Sequence, residues 1–280
     1  EFVERVGGTA GGDPGVEALR RIRIGRGQRG QSLGHEREVL LVHLNDQLVV
    51  DNTVMENYWE RDKPMYSSGQ IELQSHGSKL YFKNIYIREI PRTAKSLFNG
   101  QDLSGWEQVG GEPGAWQVAD GTLYNEGSSG GWLSTVDQYT NFKLELEFMV
   151  PPGGNSGVFI RTPREGNPAY AGSEIQVLDD FADQYKDLKP WQFCGSVYSV
   201  QAPSQRVTKP ANEWQKMAIE CVGVNVKVTL NDTQIIDVNL NDHFDKIAEH
   251  PGLQRTGGYI GFQHHGEKGL KYRNIRITEL

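Results

Sequence analysis

Three short stretches carry reactive side chains at two-residue spacing. In Glu174-Ile175-Gln176-Val177-Leu178, Glu174 and Gln176 share one strand face and Ile175 and Val177 the other. In Gly157–Arg161, Phe159 and Arg161 oppose Val158 and Ile160. In Tyr259–His265, Tyr259, Gln263 and His265 oppose Ile260 and Phe262. With the polar faces on one sheet, a carboxylate, a guanidinium, an imidazole, two amides and aromatic rings would line one groove. Planar polar side chains bind paired hydroxyls and flat rings receive the C–H faces of a pyranose, so the set suits carbohydrate. The alternative is plainer: an antiparallel sheet turns polar residues to solvent by default.

Other chemistries leave weaker traces. The sequence has no G-x-S-x-G, no P-loop and no zinc-ligand spacing. His264 and His265 are adjacent, so on a regular strand they face opposite ways. Asp179-Asp180 ends a strand and could hold Ca²⁺ or cap a loop, the loop role being the commoner one for Asp. Cys194 and Cys221 are either one disulfide or two buried thiols, with buried thiols the expected state.

The elements that would position these residues are strands. Ala115–Val118 and Gly121–Tyr124 flank an Asp120-Gly121 turn. Phe142–Val150 alternates cleanly and stops at Pro151-Pro152. Trp214–Val222 and Asn225–Leu230 read as a hairpin around Gly223, and Asn231-Asp232 turns into Gln234–Asp237. Tyr272–Leu280 is expected beside an early strand, closing the domain. Many short strands and almost no helical period indicate an all-β sandwich or jelly roll.

The chain also repeats itself. Residues 45–90 align with 231–280: Asn45-Asp46 with Asn231-Asp232, Ile71 with Ile260, Gln74, His76 and Gly77 with Gln263, His265 and Gly266, and Asn84-Ile85 with Asn274-Ile275. In the first copy, Ile71 and Leu73 should face inward and Gln74 and His76 outward. Residues 1–38 hold seven Arg, nine Gly and no Lys, a poor composition for a sheet. The expected organisation is an atypical Gly/Arg-rich segment over 1–38, a partial repeat of the C-terminal strands over 39–91, and a complete domain over 95–280.

Composition narrows the classes. With 280 residues, 37% hydrophobic, 10% aromatic and a net charge of −7, the chain is neither disordered nor a basic nucleic-acid binder. It has no run of about 18 apolar residues, so no transmembrane helix is expected.

Longer motifs, in order, carry a family resemblance. SLFNGQDLSGW (96–106), NSGVFIR (155–161), GSEIQVLD (172–179), GSVY (195–198), EWQ (213–215) and the last strands with G-x-I-G-F-Q-x-H-G and Y-R-N-I-R-I-x-E-L all fit one pattern. Over residues 95–280 it resembles the 3-keto-disaccharide hydrolase domain. The resemblance implies a concanavalin A-like jelly-roll β-sandwich, preceded here by a partial copy lacking the NSGVFIR and GSEIQ strands. It implies an enzyme, a glycosidase-type hydrolase or lyase cleaving 3-keto-glycosides; a non-catalytic carbohydrate-binding module is the alternative. A C3 ketone acidifies the C2 proton, so a base, an acid for the leaving oxygen and a donor at the ketone suffice.

Carried onto this chain, the resemblance makes Glu174 the base, Arg161 the oxyanion or substrate clamp, and His265 the acid or a ligand. Asn155, Phe159, Gln176, Tyr198 and Gln263 become substrate-binding residues. Glu174, Asp179 and His265 would be the ligands if a divalent metal ion takes part. The implied partner is a carbohydrate or oxidised glycoside, and the implied location periplasmic or extracellular.

Overall fold

The computed structural model describes residues 93–127 and 130–280 continuously, with 22–26, 31–32, 35–36, 39–44, 47–54, 61, 72–74 and 85 before them. Two compact units divide at Pro91: Glu1–Pro91 and Arg92–Leu280.

In the first unit, β1 (Ile22–Arg26), β4 (Val39–Leu44) and β5 (Gln47–Val54) form an antiparallel sheet in the order β1-β4-β5, and β2 (Gln31–Ser32) pairs with β3 (His35–Glu36). Residues 1–38 are therefore not excluded from sheets. The Gly/Arg count averages over a local Ile22-Arg23-Ile24 alternation, which is strand-forming by itself. Leu73, expected inward, is 48% exposed, so the parity carried over from the second copy fails there. Gln74 is exposed, while Ile71 and His76 lie outside the described residues.

The second unit begins with β6 (Lys95–Ser96), β7 (Trp106–Val109), β8 (Trp116–Ala119), β9 (Thr122–Asn125) and β10 (Trp132–Thr135). It continues with β11 (Phe142–Met149), β12 (Asn155–Thr162), the one-turn helix α1 (Pro168–Ala171) and β13 (Ser173–Leu178). β14 (Gln215–Val222), β15 (Asn225–Leu230), β16 (Thr233–Asn239), β17 (Tyr259–Gln263) and β18 (Lys271–Glu279) complete it. The strands build two antiparallel sheets. The smaller has the order β13-β12-β17-β10-β7. The larger has the order β16-β15-β14-β11-β18-β9-β8, with β6 added on β18.

This is the expected all-β jelly-roll sandwich. Its core lies between the sheets, where Leu144, Leu146, Phe148, Ile219 and Val228 of the larger meet Leu133, Val158, Ile175, Ile260 and Phe262 of the smaller. Phe262 stacks on Tyr272 at 4.2 Å and on Trp106 at 5.2 Å between ring centroids. The Asn231-Asp232 turn has positive φ at both residues, as a two-residue hairpin requires.

Two bulges break the simple parity. In β18, Asn274 takes a φ of 53° where the pairing with β11 shifts, so Tyr272 and Ile275, three residues apart, both enter the core. In β12 the register against β17 shifts between Phe159 and Thr162, and Arg161 takes a φ of 52°. An extra residue rotates everything beyond it by one face. Among the described residues, no helix is long and apolar enough to cross a membrane.

Candidate functional site

Every residue of β13 is buried, on both faces, although it is the edge strand of the smaller sheet. Its free edge is covered by 195–198: Gly195 N–H donates to Gln176 O, Gln176 N–H to Ser196 O, and Tyr198 N–H to Glu174 O. Its outer face is flanked by α1, which Asn167 caps by accepting from Ala169 N–H and which Pro168 opens. Sequence motifs did not single out this helix, though Asn-Pro was a readable start signal.

The register aligns the outer-face residues in rows. Glu174 lies opposite Phe159, which lies opposite Gly261. Gln176 lies opposite Gly157, and Asn155 opposite Leu178. Trp132 on β10 pairs with Gln263. Gly157 is the floor: a Cβ there would collide with the carboxylate of Glu174, so the acid lies flat across a bare stretch of strand. Glu174, Gln176, Asn155, Phe159 and Gln263 thus share one face of the smaller sheet. Gln176 Nε2 donates to Asn155 Oδ1 at 2.9 Å, which fixes both amides.

Glu174 is 3% exposed, and burial pushes its carboxyl up to about 8. Around it stand aromatic rings. Phe159 meets Trp132 edge-on at 5.6 Å, and Tyr170 and Tyr259 pack against the cluster that this pair forms with Ala169. Tyr198 meets Tyr170 at 6.4 Å and Trp191 at 5.4 Å, both nearly perpendicular. Tyr170, Trp191 and Trp132 had no motif to announce them. They reach this face from a loop helix, a loop and a short strand whose pattern does not alternate.

Arg161 is not on this face. The bulge turns it inward, where Nε and Nη2 donate to Thr140 O at 3.0 and 2.7 Å and Nη1 donates to Gly223 O. It is 2% exposed and ties the smaller sheet to loops of the larger one. The expected clamp is a cross-sheet staple.

His265 lies beyond the end of β17, half-exposed, with Nδ1 3.1 Å from the Glu267 carboxylate. It lies four residues past Gly261, the residue in line with Glu174 and Phe159, and its ring is paired with Glu267 rather than with Glu174. His264 is buried, its Nε2 2.8 Å from Glu126 O and its Nδ1 accepting from Gly266 N–H.

Asp179 accepts from Gly153 and Phe181 N–H, a loop-fixing role. The expected metal trio of Glu174, Asp179 and His265 is therefore dispersed. Among the described residues no three His, Cys, Asp or Glu side chains cluster as ligands. Cys194 and Cys221 are free buried thiols, and burial pushes Cys221 up to about 12.

Comparison with known proteins agrees with this architecture. A 3-keto-disaccharide hydrolase of Bacteroides thetaiotaomicron is 28% identical over 228 residues, covering 66% of this chain and 78% of that protein. A crystal structure from Parabacteroides distasonis, assigned as a glycosyl hydrolase, superposes with a TM-score of 0.58 at 29% identity, covering 67% of this chain and all of that one. A second structure from that organism, at 20% identity and a TM-score of 0.52, shares the fold. The 3-keto-alpha-glucoside-1,2-lyase-like domain matches twice, over residues 26–88 and 93–278, and the chain belongs to that family.

Proposed function

We propose that the second unit cleaves the glycosidic bond of 3-keto-glycosides, with Glu174 removing the proton at C2. One observation carries this reading: a buried carboxyl lies over bare backbone at Gly157, on the face that holds Gln176, Asn155, Gln263 and the aromatic rings. A sugar ring packs its C–H face on such rings, and amides receive its hydroxyls and ketone. A carboxylate shielded from water is a stronger base than one in solvent.

The ketone lets the C2–H bond break without an oxocarbenium ion. The electron pair forms the enolate, the C1–O bond then breaks, and the alcohol departs. Gln176 and Gln263, on the same face as Glu174, would supply amide donors for the developing oxyanion, since Arg161 is engaged elsewhere. Elimination alone is a lyase reaction; addition of water to the unsaturated product gives net hydrolysis. The family and its Bacteroides relative carry these two names, and one proton abstraction serves both.

The test compares 3-keto-glucosides with their unoxidised parents. The wild-type chain should turn over only the ketones, and Glu174→Gln should lower kcat by about 10²–10⁴-fold, the usual contribution of a general base. Binding of intact glycans without turnover of any ketone would make this face a lectin site instead.

A further inference from the structure

Once His265 is displaced, the face holds a base but lacks the acid that a poor leaving group needs. Tyr170 borders that face. It packs against the cluster of Trp132, Phe159 and Ala169, in which Phe159 is the register partner of Glu174. Its ring meets that of Tyr198 at 6.4 Å, and Tyr198 N–H donates to Glu174 O. Its contacts are through the ring, and its hydroxyl is bonded to no described residue. The side chain is half-buried, so the phenol borders solvent.

Behind it lies His250, 1% exposed, with its ring 4.4 Å from that of Tyr170 and neither ring nitrogen hydrogen-bonded within the described protein. Two unsatisfied polar atoms in a buried position are costly. His250 is held by shape: Gly252, two residues on, packs against the Gly172 carbonyl so closely that no Cβ fits. That contact fixes the His250 loop against the C-terminal end of α1. Lys246, which donates to Ser199 O and Val200 O, binds the same segment to the Tyr198 loop.

We propose that Tyr170 is the catalytic acid, protonating the departing glycosidic oxygen while Glu174 takes the C2 proton, and that His250 is a positioning residue holding the Tyr170 ring. This rests on the elimination reading above. The C2–H and C1–O bonds break, their electrons form the C1=C2 bond and leave with oxygen, and that oxygen gains the phenol proton. Glu174 then holds one proton too many and Tyr170 one too few; transfer between them resets the site without any co-reactant. Burial and the neighbouring carboxylates keep the phenol protonated until the oxygen departs.

The experiment uses the full chain with methyl and 4-nitrophenyl 3-keto-glucosides of both anomers. Nitrophenolate leaves without a proton, whereas methoxide does not. Tyr170→Phe, which keeps the ring, should lower kcat for the methyl compound by about 10²–10⁴-fold, and at least tenfold less for the nitrophenyl compound. His250→Ala should show the same split, and His250→Phe, which restores a ring behind Tyr170, should reverse it. An equal fall with both compounds, no fall, or the split in Tyr198→Phe instead would overturn Tyr170 as the acid. An equal fall in His250→Ala would overturn the positioning role. A wild type inert towards both compounds would overturn the acid together with the reading it rests on, whereas an active wild type with an inactive Glu174→Gln leaves that reading standing while Tyr170 is judged alone.

Discussion

Glu174 is stable in its place only as the neutral acid and useful only as the carboxylate. Its ordinary value is 4.5 and burial moves it to about 8. Two consequences follow with opposite signs. For catalysis, the active form is the deprotonated one, so kcat/KM should rise with pH and level off above about 8. For stability, the folded chain holds a proton between these two values that the unfolded chain has lost. Stability from this group is complete below about 4.5 and falls as pH rises through about 8. Glu174→Gln removes the buried acid, so its melting temperature should exceed that of wild type by several degrees at pH 8.5 and by little at pH 4.5. Calorimetry at the two pH values reads the difference. A wild-type rate profile that is flat from pH 6 to 9, after subtraction of the uncatalysed reaction, would show that another group is the base.

At the scale of elements, the decisive feature is the bulge in β12. Arg161 has three charge-assisted hydrogen bonds to the carbonyls of Thr140 and Gly223, joining the approach to β11 and the β14–β15 turn to the opposite sheet. Arg161→Met removes three charge-assisted hydrogen bonds made by a buried side chain, at a cost of about 2–4 kcal/mol. At about 2–4 °C per kcal/mol for a domain of this size, the melting temperature should fall on the order of 10 °C. Turnover measured well below the transition should stay within a few-fold of wild type. Lost kcat with an unchanged melting temperature would return Arg161 to the reaction.

The same bulge marks where reading the sequence stops. Hairpins such as β14–β15 and the shared face of Glu174, Gln176 and Phe159 were legible, because alternation and turn residues act locally. Arg161 was not, because parity assumes an unbroken pleat and one extra residue reverses it. His265 was not, because its strand ends at Gln263. Tyr170 comes from a helix inserted between two strands, and only tertiary packing shows which strand it covers.

For the whole molecule, the question is what the first unit contributes. It repeats the last strands of the second, with Gln74 and His76 where the second has Gln263 and His265. Its sequence has no counterpart of the NSGVFIR and GSEIQ stretches that carry Gly157 and Glu174. Its described strands also leave Leu48 and Val49 exposed at 42% and 52%; these neighbours lie on opposite faces of β5, so neither face of that strand is covered at this point. By contrast, the core cluster of the second unit draws on both of its sheets, so it has the means to fold by itself. All residues assigned to substrate, base and acid lie between Trp132 and Gln263. A chain of residues 93–280 should therefore fold and keep kcat/KM for a 3-keto-glucoside within about twofold of the full chain, because it carries every residue assigned to substrate, base and acid. The measurement is steady-state kinetics of both chains beside their thermal melts. A shortened chain that melts as the full one does but loses turnover would mean that the partial copy supplies part of the site, and the bound sugar would then have to reach beyond the sandwich that holds Glu174.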